Sequence, residues 1–455
     1  MAEHAVSSSV RYHVLRIVHR MIDASNVRGV VASAVTVGAF AVVCTPSRAS
    51  AQSVYLPRPD TYQYYWPGEC LEAVARTEAL LQRTGPDTSR FDIAGDTLPS
   101  LASTAARDCA ASLSIMTVKP RDLILLARVY WAANTPALAD SAVARRLATD
   151  AGKPVAARAQ TLADLVAAYA SARPARLALA TAQSAALDRL TGDSDIARAR
   201  LLAHYALTRA QYRRGDTAAV TREANAMIAA GKVMTADDRL DLAGSLLAAY
   251  LYLFDIAGMQ TGIAPGPRAV LARARADIGS YPAVAPTLSA RTPIAGLYGA
   301  PASKIRARYW SGAVGDTVRP AVGKLSLVIF SASRDNAPAL RRLAARGLDI
   351  TLVVGTRGHF QGRGPLEADS EAVMLQRHYS RDLGVPGTVA ITASDYDRMF
   401  DGRRVRRPSE NETAYAVRSG VWGVLVDRHG IIRRVYGRWM PWTERQIEEA
   451  IQVIK

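Results

Sequence analysis

Cysteine is scarce in this sequence: three occur in 455 residues, namely Cys44, Cys70 and Cys109. The first of them ends an N-terminal apolar run, so two are left for the rest of the chain. Histidine is also rare, with seven copies, and no Cys or His spacing matches a zinc site. No glycine-rich segment continues into the Lys-Ser/Thr of a phosphate loop. We therefore expect neither a metal site nor a cofactor.

Aromatic residues are few as well, at 7% of the chain against 49% hydrophobic residues in total. Because Ala and Leu are prominent among the apolar residues, the composition favours packed helices over a β-sandwich. The formal net charge is +17. The basic residues are nevertheless dispersed, and the one dense run, at 403–407, contains no aromatic residue. We therefore expect no nucleic-acid partner.

The N-terminus has the pattern of an export signal. Basic residues precede an apolar run at 29–43, and the sequence at 47–51, Ser-Arg-Ala-Ser-Ala, supplies a small-x-small cleavage pattern. We predict a signal peptide over residues 1–51 and export to the periplasm or cell envelope of a bacterium. The alternative is an uncleaved anchor, which would be the chain's contact with a membrane. Met1 and Met21 are both candidate start residues.

Cys70 and Cys109 form the natural disulfide pair of an exported chain. Each lies in a segment with helical periodicity. A bridge between them would join two helices and close a loop of about 40 residues, which chain entropy values at about 3–4 kcal/mol. The alternative is a redox-active pair, although the two cysteines are far apart in the sequence and neither sits at a strand-to-helix turn.

Helices are predicted for the middle of the chain, because apolar residues between 67 and 280 recur every three or four positions. Four stretches begin with a Leu/Tyr-rich helix, and the first three continue through a turn into an Ala-rich partner. Their tyrosines recur 39, 43 and 38 residues apart, at Tyr130, Tyr169, Tyr212 and Tyr250. The arrangement resembles tetratricopeptide-type repeats, with a longer period. The resemblance implies a helical repeat domain over 52–280 that binds a protein partner; an irregular helical bundle is the alternative.

Proline marks a boundary at 281–322, where we predict a linker without regular structure. After it the pattern changes to alternating strands and helices. Strands are predicted at 324–330, 348–354, 387–391, 422–427 and 431–436, and helices at 336–346, 369–383 and 443–454. This order predicts an α/β sheet with parallel neighbours and an antiparallel hairpin near the C-terminus.

The order of these elements resembles the thioredoxin-like domain of the exported TlpA/ResA disulfide oxidoreductases and redoxins. The most specific part is Val424-Leu425-Val426-Asp427-Arg428-His429-Gly430-Ile431-Ile432. The resemblance covers about residues 316–455 and implies a thioredoxin-like domain over 323–455. The predicted fold class is therefore multidomain: an all-α helical-hairpin repeat domain followed by an α/β thioredoxin-like domain.

The family's C-x-x-C is missing from this chain. In a gapless alignment, the nucleophilic and resolving cysteines fall on Asp335 and Pro338, and the family's cis-proline falls near Val421. Dithiol exchange needs a thiolate and a second thiol, and a carboxylate replaces neither. The run Asp335-Asn336-Ala337-Pro338 instead predicts a helix start, with Asp or Asn as the cap and Pro in the first turn. We therefore expect no catalytic residue at this corner.

Three arginines, Arg334, Arg357 and Arg363, are candidates to line the same face and to favour an anion or a partner. Together these observations predict an exported protein-binding or scaffold protein, with a redox-inactive thioredoxin-like domain and no enzymatic activity. Two alternatives stay open. One is a thiol-disulfide oxidoreductase or redoxin-like protein of the cell envelope, and the other is an accessory subunit of an envelope complex.

Overall fold

The computed structural model describes most of the chain from Trp66 onwards. It covers residues 66–84, 100–260, 265–307, 309–310, 317–318, 320, 322–356, 366–392, 396–398, 404–406, 408–417, 421–437, 439–440 and 442–454. The predicted signal peptide lies outside these residues, as do Arg357 and Arg363. In the described part of the chain, no helix combines the length and the hydropathy needed to span a bilayer.

Helices make up the N-terminal part of the described chain. They are α1 (Pro67–Thr84), α2 (Ser100–Ser112), α3 (Leu123–Ala132), α4 (Pro136–Asp150), α5 (Val155–Ser171), α6 (Leu177–Asp188), α7 (Ser194–Arg214), α8 (Thr217–Val233), α9 (Ala236–Asp241), α10 (Ala243–Gln260), α11 (Pro265–Ile278) and α12 (Ala285–Leu297). Helix α3 packs on α4, α5 on α6, α7 on α8, and α10 on α11. The first helix of each pair carries one of the four recurring tyrosines. Helices that follow one another in the chain therefore pack as pairs, and the repeat domain stays a prediction.

The turn between α7 and α8 shows how the sequence ends one helix and begins the next. Gly215 ends α7 in the left-handed region, with φ of 72°, and Asp216 caps α8 by accepting a hydrogen bond from the backbone N–H of Ala219 at 2.9 Å. A Cβ on Gly215 would lie 2.7 Å from Cγ of Trp442. Glycine is therefore required both by the backbone conformation and by the approach of Trp442.

The segment at 281–322 differs from its prediction, because it contains regular structure. Helix α12 lies within it, with Pro286 in the first turn, where the missing N–H costs no hydrogen bond. One side of the helix is buried at Leu288, Ile294 and Leu297. The proline content suggests irregular chain, but burial of this apolar side outweighs Pro293 in the helix interior.

A mixed sheet occupies the C-terminal part of the chain. Its elements and their neighbours are β1 (Ile305–Arg306), β2 (Tyr309–Trp310), β3 (Thr317–Val318), β4 (Ser326–Phe330), α13 (Ala337–Ala345), β5 (Asp349–Gly355), α14 (Ala368–Arg377), β6 (Thr388–Thr392), β7 (Tyr396–Arg398), β8 (Arg404–Arg406), α15 (Glu410–Ala414), β9 (Trp422–Val426), β10 (Ile432–Tyr436) and α16 (Thr443–Val453). The strand order is β10-β9-β4-β5-β6-β2. Strands β4, β5 and β6 are parallel, and the other neighbours are antiparallel. The five strands predicted from the sequence all occur, with ends within two residues of the prediction.

The helical part and the sheet are in direct contact. The rings of Tyr212 on α7 and Trp442 before α16 meet edge to face, with centroids 5.2 Å apart. The guanidinium of Arg445 on α16 donates a hydrogen bond to the carbonyl of Gly215 at 3.2 Å. One apolar cluster also contains residues of both parts, among them Leu253 of α10 and Val424 of β9. The domain limits read from the sequence stay predictions.

Candidate functional site

The corner where the missing cysteines would lie is formed by the end of β4 and the start of α13. Ser331, directly after β4, has φ of 67° and donates its backbone N–H to the carbonyl of Val353 on β5. Helix α13 then begins at Ala337, with Asn336 at the N-cap position. A loop of six residues, 331–336, therefore turns the chain from the strand into the helix.

Asn336 is the residue that organises this turn. Its side chain is 2% exposed, and its Oδ1 accepts a hydrogen bond from the backbone N–H of Ser333 at 2.7 Å. It does not accept one from the first turn of the helix, so its side chain fixes the loop rather than the helix end. Its Nδ2 has no partner among the described residues. The N-cap of α13 thus carries a neutral amide.

Asp335 and Pro338, the two positions of the gapless alignment, lie on either side of the helix start. Asp335 precedes the cap and is exposed, and Pro338 lies in the first turn. Asn336 at the N-cap and Ala339 on the first turn are both buried. None of these four residues carries sulfur. The alignment of the two cysteines with Asp335 and Pro338 stays a prediction.

Val421 lies at the same end of the sheet. Phe330, the last residue of β4, pairs with Trp422, the first residue of β9. Val421 therefore continues β9 past this pair, next to the loop that begins at Ser331. It is half-buried and packs on the apolar cluster that contains Leu340 of α13. Val421 and the start of α13 therefore pack on the same apolar cluster, which contains Ala337 and Leu340.

The predicted anion face is described at one of its three arginines. Arg334 is exposed in the loop before α13, beside the exposed Asp335. Arg357 and Arg363 lie outside the described residues. The face therefore stays a prediction.

The predicted disulfide is confirmed. Cys70 on α1 and Cys109 on α2 are bonded, with their Cα atoms 5.8 Å apart, and both are 0% exposed. They belong to an apolar cluster that includes Leu123 of α3. The start of α13 belongs to another cluster, formed around the sheet. The disulfide is therefore buried among the helices and does not belong to the β4–α13 corner.

The segment at 424–432 has a structural role in the β9–β10 turn. Asp427 Oδ1 accepts hydrogen bonds from the backbone N–H groups of His429 and Ile431, each at 2.9 Å, and its Oδ2 accepts one from Arg433 Nε at 2.6 Å. Burial would raise the pKa of Asp427, but these donors outweigh it and hold the pKa below its usual range. Asp427 therefore fixes the hairpin as an ionised acceptor.

The helical part also contains a buried charged cluster that the sequence did not reveal. His204 on α7 contacts Glu223 Oε2 on α8 through Nδ1 at 2.8 Å, and Asp188 Oδ1 on α6 through Nε2 at 3.3 Å. Burial would lower the pKa of His204, but the hydrogen bonds and charges of the two carboxylates outweigh it and raise the pKa to about 9. The histidine is therefore a cation that joins three helices. Its partners are 16 and 19 residues away, and no local spacing indicates them.

No protein-family model matches this chain, and no curated protein matches it. Solved structures are similar over part of it. A thioredoxin-like superfamily protein is 14% identical, with a TM-score of 0.24, over 34% of this chain and 95% of its own length. A thiol:disulfide interchange protein, DsbE, from Chlorobium tepidum is 18% identical, with a TM-score of 0.22, over 34% of this chain and 94% of its own. These similarities concern fold over about a third of the chain and assign no activity.

Proposed function

We propose that this chain is an exported binding or scaffold protein whose thioredoxin-like part performs no thiol exchange. The observation that carries the proposal is the start of α13, where no residue from 331 to 340 is a cysteine. Without a thiolate there, no mixed disulfide with a substrate forms at this corner. The thioredoxin-like arrangement would then act through its surface, as a site that holds a partner.

The buried disulfide between Cys70 and Cys109 supports the same proposal. A disulfide that exchanges with a protein substrate must be reached by an attacking thiolate. Cys70 and Cys109 have no exposed surface in the folded protein. Their bridge is therefore suited to holding α1 against α2, and it gives no support to the alternative of a thiol-disulfide oxidoreductase. A structural disulfide also agrees with a protein that works in an oxidising compartment, outside the cytoplasm.

The paired helices support a binding role. Helix pairs that pack in series expose an extended surface, and such arrays in general bind proteins or peptides. We propose that the helical part, with its tetratricopeptide-like spacing, supplies the contact with a protein partner. The partner would be a protein of the cell envelope, in agreement with the proposed signal peptide at 1–51.

Insulin reduction in the presence of dithiothreitol tests the redox part of the proposal. We expect the purified protein to leave the rate at that of dithiothreitol alone, whereas a dithiol thioredoxin, run beside it, accelerates the reaction. Turnover that depends on this protein would refute the proposal. Turnover that disappears in a Cys70→Ala/Cys109→Ala variant would assign the activity to the helical part and would establish the oxidoreductase alternative.

A further inference from the structure

A small cleft lies at the end of the sheet opposite the β4–α13 corner. Its lining includes Lys324, two residues before β4, whereas the corner begins at Ser331, directly after that strand. A strand of five residues spans about 16 Å, so the two places are separate surfaces. The cleft has a volume of about 190 Å³.

Backbone hydrogen bonds hold together the segments that form this cleft. The N–H of Gly323 donates to the carbonyl of Arg428 in the β9–β10 turn at 2.8 Å. The N–H of Asp349 on β5 donates to the carbonyl of Leu325 at 3.0 Å. The chain before β4 therefore lies between the start of β5 and the β9–β10 turn, and its position is fixed on both sides.

The inner wall of the cleft is apolar. Leu325 before β4 and Leu348 before β5 are 8% and 4% exposed. Ile451 and Ile454, at the C-terminal end of α16, are half-buried and pack on the same apolar cluster. An apolar group placed against this wall would remove it from water, which lowers the free energy of the complex. The volume suits roughly six groups of the size of a water molecule, at about 30 Å³ each.

Three exposed cationic side chains line the same cleft, those of Lys324, Arg346 and Arg428. We call it the basic cleft, because the described residues that line it include no acid. Arg346 Nη1 lies 2.9 Å from Glu448 Oε1 on α16. Lys324 and Arg428 form no ion pair within the part of the chain that the structure describes.

The acids that adjoin the lining residues in the sequence leave this excess of positive charge in place. Asp427, next to Arg428, accepts a hydrogen bond from Arg433 Nε at 2.6 Å, and its other oxygen accepts from two backbone N–H groups of the turn. Asp349, next to Leu348, is not among the residues that line the cleft. The basic cleft therefore attracts anions.

We propose that the basic cleft binds a small anion that carries a short apolar chain, with a carboxylate or a phosphate monoester as the charged group. The side chains of Lys324 and Arg428 would donate hydrogen bonds to the charged oxygens. The apolar chain would lie against the wall formed by the two leucines and the two isoleucines. This site goes beyond the proposed function, and it does not depend on the redox state of the β4–α13 corner.

Calorimetric titration with four probes tests the site: methyl phosphate, butyl phosphate, acetate and pentanoate. A buffer with about 0.15 M salt is suitable, because its Debye length of about 8 Å screens distant charges. We expect butyl phosphate or pentanoate to bind at least about fourfold more tightly than the short probe with the same charged group, since one buried methylene contributes about that factor. The tighter of the two long probes identifies the charged group of the ligand.

Variants assign the binding to the basic cleft. Arg428→Gln should weaken the binding of the long probe by about fivefold. Arg377→Gln is the matched control, because it removes the same charge from an exposed residue of α14 that does not line the cleft. It should change the affinity by less than about twofold. Ile454→Ser should reduce the advantage of the long probe over the short one and leave the affinity for the short probe unchanged.

Three results would overturn the proposal. The first is no binding of any probe at about 10 mM. The second is equal affinity for the long and the short probe, and the third is an equal loss in the Arg428→Gln and Arg377→Gln variants. Circular dichroism shows that each variant is folded, which we expect because Arg428 and Arg377 are both exposed.

Discussion

The helical part and the β4–α13 corner differ in how exposed their reactive side chains are. In the helical part, the groups able to do chemistry are buried: the disulfide of Cys70 and Cys109 is 0% exposed, and His204 is 7% exposed between two carboxylates. At the corner, Arg334 and Asp335 are exposed, but neither can act as a thiol. The chain therefore buries these groups in its helical part and has no thiol at its exposed corner.

Among the changes predicted here, removal of the disulfide should lower the unfolding free energy most. We expect a Cys70→Ala/Cys109→Ala variant to lose about 3–4 kcal/mol of unfolding free energy, because the bridge closes a loop with a sequence separation of 39 residues. Equilibrium denaturation in guanidinium chloride measures the loss. Asp335→Ala at the exposed corner is the control and should change the free energy by less than about 0.5 kcal/mol.

Reduction of the wild-type protein extends this test. Since both cysteines are fully buried, mild reductant should leave the bridge intact in the folded protein and cleave it once denaturant unfolds the α1–α2 pair. Mass spectrometry after alkylation measures the fraction reduced. Rapid reduction under native conditions would show that the disulfide is accessible to reductant. It would contradict the difference in burial between the helical part and the corner.

The pH dependence of stability should show the second-largest effect. The pKa of His204 is raised to about 9 in the folded protein, against about 6.5 for an unfolded histidine. A raised pKa contributes stability that is fully present below about pH 6.5 and is lost as the pH rises through about 9, for a total of about 3 kcal/mol. Denaturation curves measured between pH 6 and 10 should therefore show falling stability.

Two variants assign this pH dependence to one region. His204→Gln should flatten the profile, because Asp188 and Glu223 lose their titrating partner. His429→Gln, in the exposed β9–β10 turn, should leave the profile as it is in the wild type. A profile that falls equally in both variants would mean that another group dominates the alkaline loss.

The sequence predicts the elements better than their long-range contacts. Strands β4 and β9 are buried along their whole length, and a run of mostly apolar residues predicts each of them. The Cys70–Cys109 pair follows from the small number of cysteines alone. The cap of α9 is also local: Thr235 accepts a hydrogen bond from the backbone N–H of Asp238, three residues later.

The remainder depends on neighbours that are distant in the chain. The sequence did not predict helix α12, because its prolines suggest irregular chain. The burial of its apolar side depends on residues that are distant in the sequence. The cluster of His204 joins three helices. The periodicity of a sequence identifies the apolar face of each helix, but it does not show which helices pack against each other. At the corner, Asp and Asn are both good caps, so the sequence alone left the position of the helix start ambiguous by one residue. That single residue decides where sulfur would have to be placed.

Placing sulfur at the corner should have the smallest effect on stability and would test the comparison most directly. In an Asp335→Cys/Pro338→Cys variant, the two thiols stand directly before the N-cap and three residues later, on the first turn of α13. Asp335 is exposed, so a disulfide substrate can reach a thiol at this position. The positive end of α13 lowers the pKa of that thiol and favours the thiolate. We expect this variant to reduce insulin faster than the wild type.

The matched control is Asn336→Cys/Ala339→Cys, which introduces the same number of thiols one residue further along α13. Both positions are buried, so an attacking thiolate does not reach them in the folded protein. Loss of the Asn336 hydrogen bond to Ser333 should also cost about 1 kcal/mol. We therefore expect little activity from the control. Higher activity in the control than in the Asp335→Cys/Pro338→Cys variant would contradict the gapless alignment. Inactivity of both would mean that the corner has lost more than its sulfur, since the surface beside Val421 would then also fail to accept a disulfide substrate.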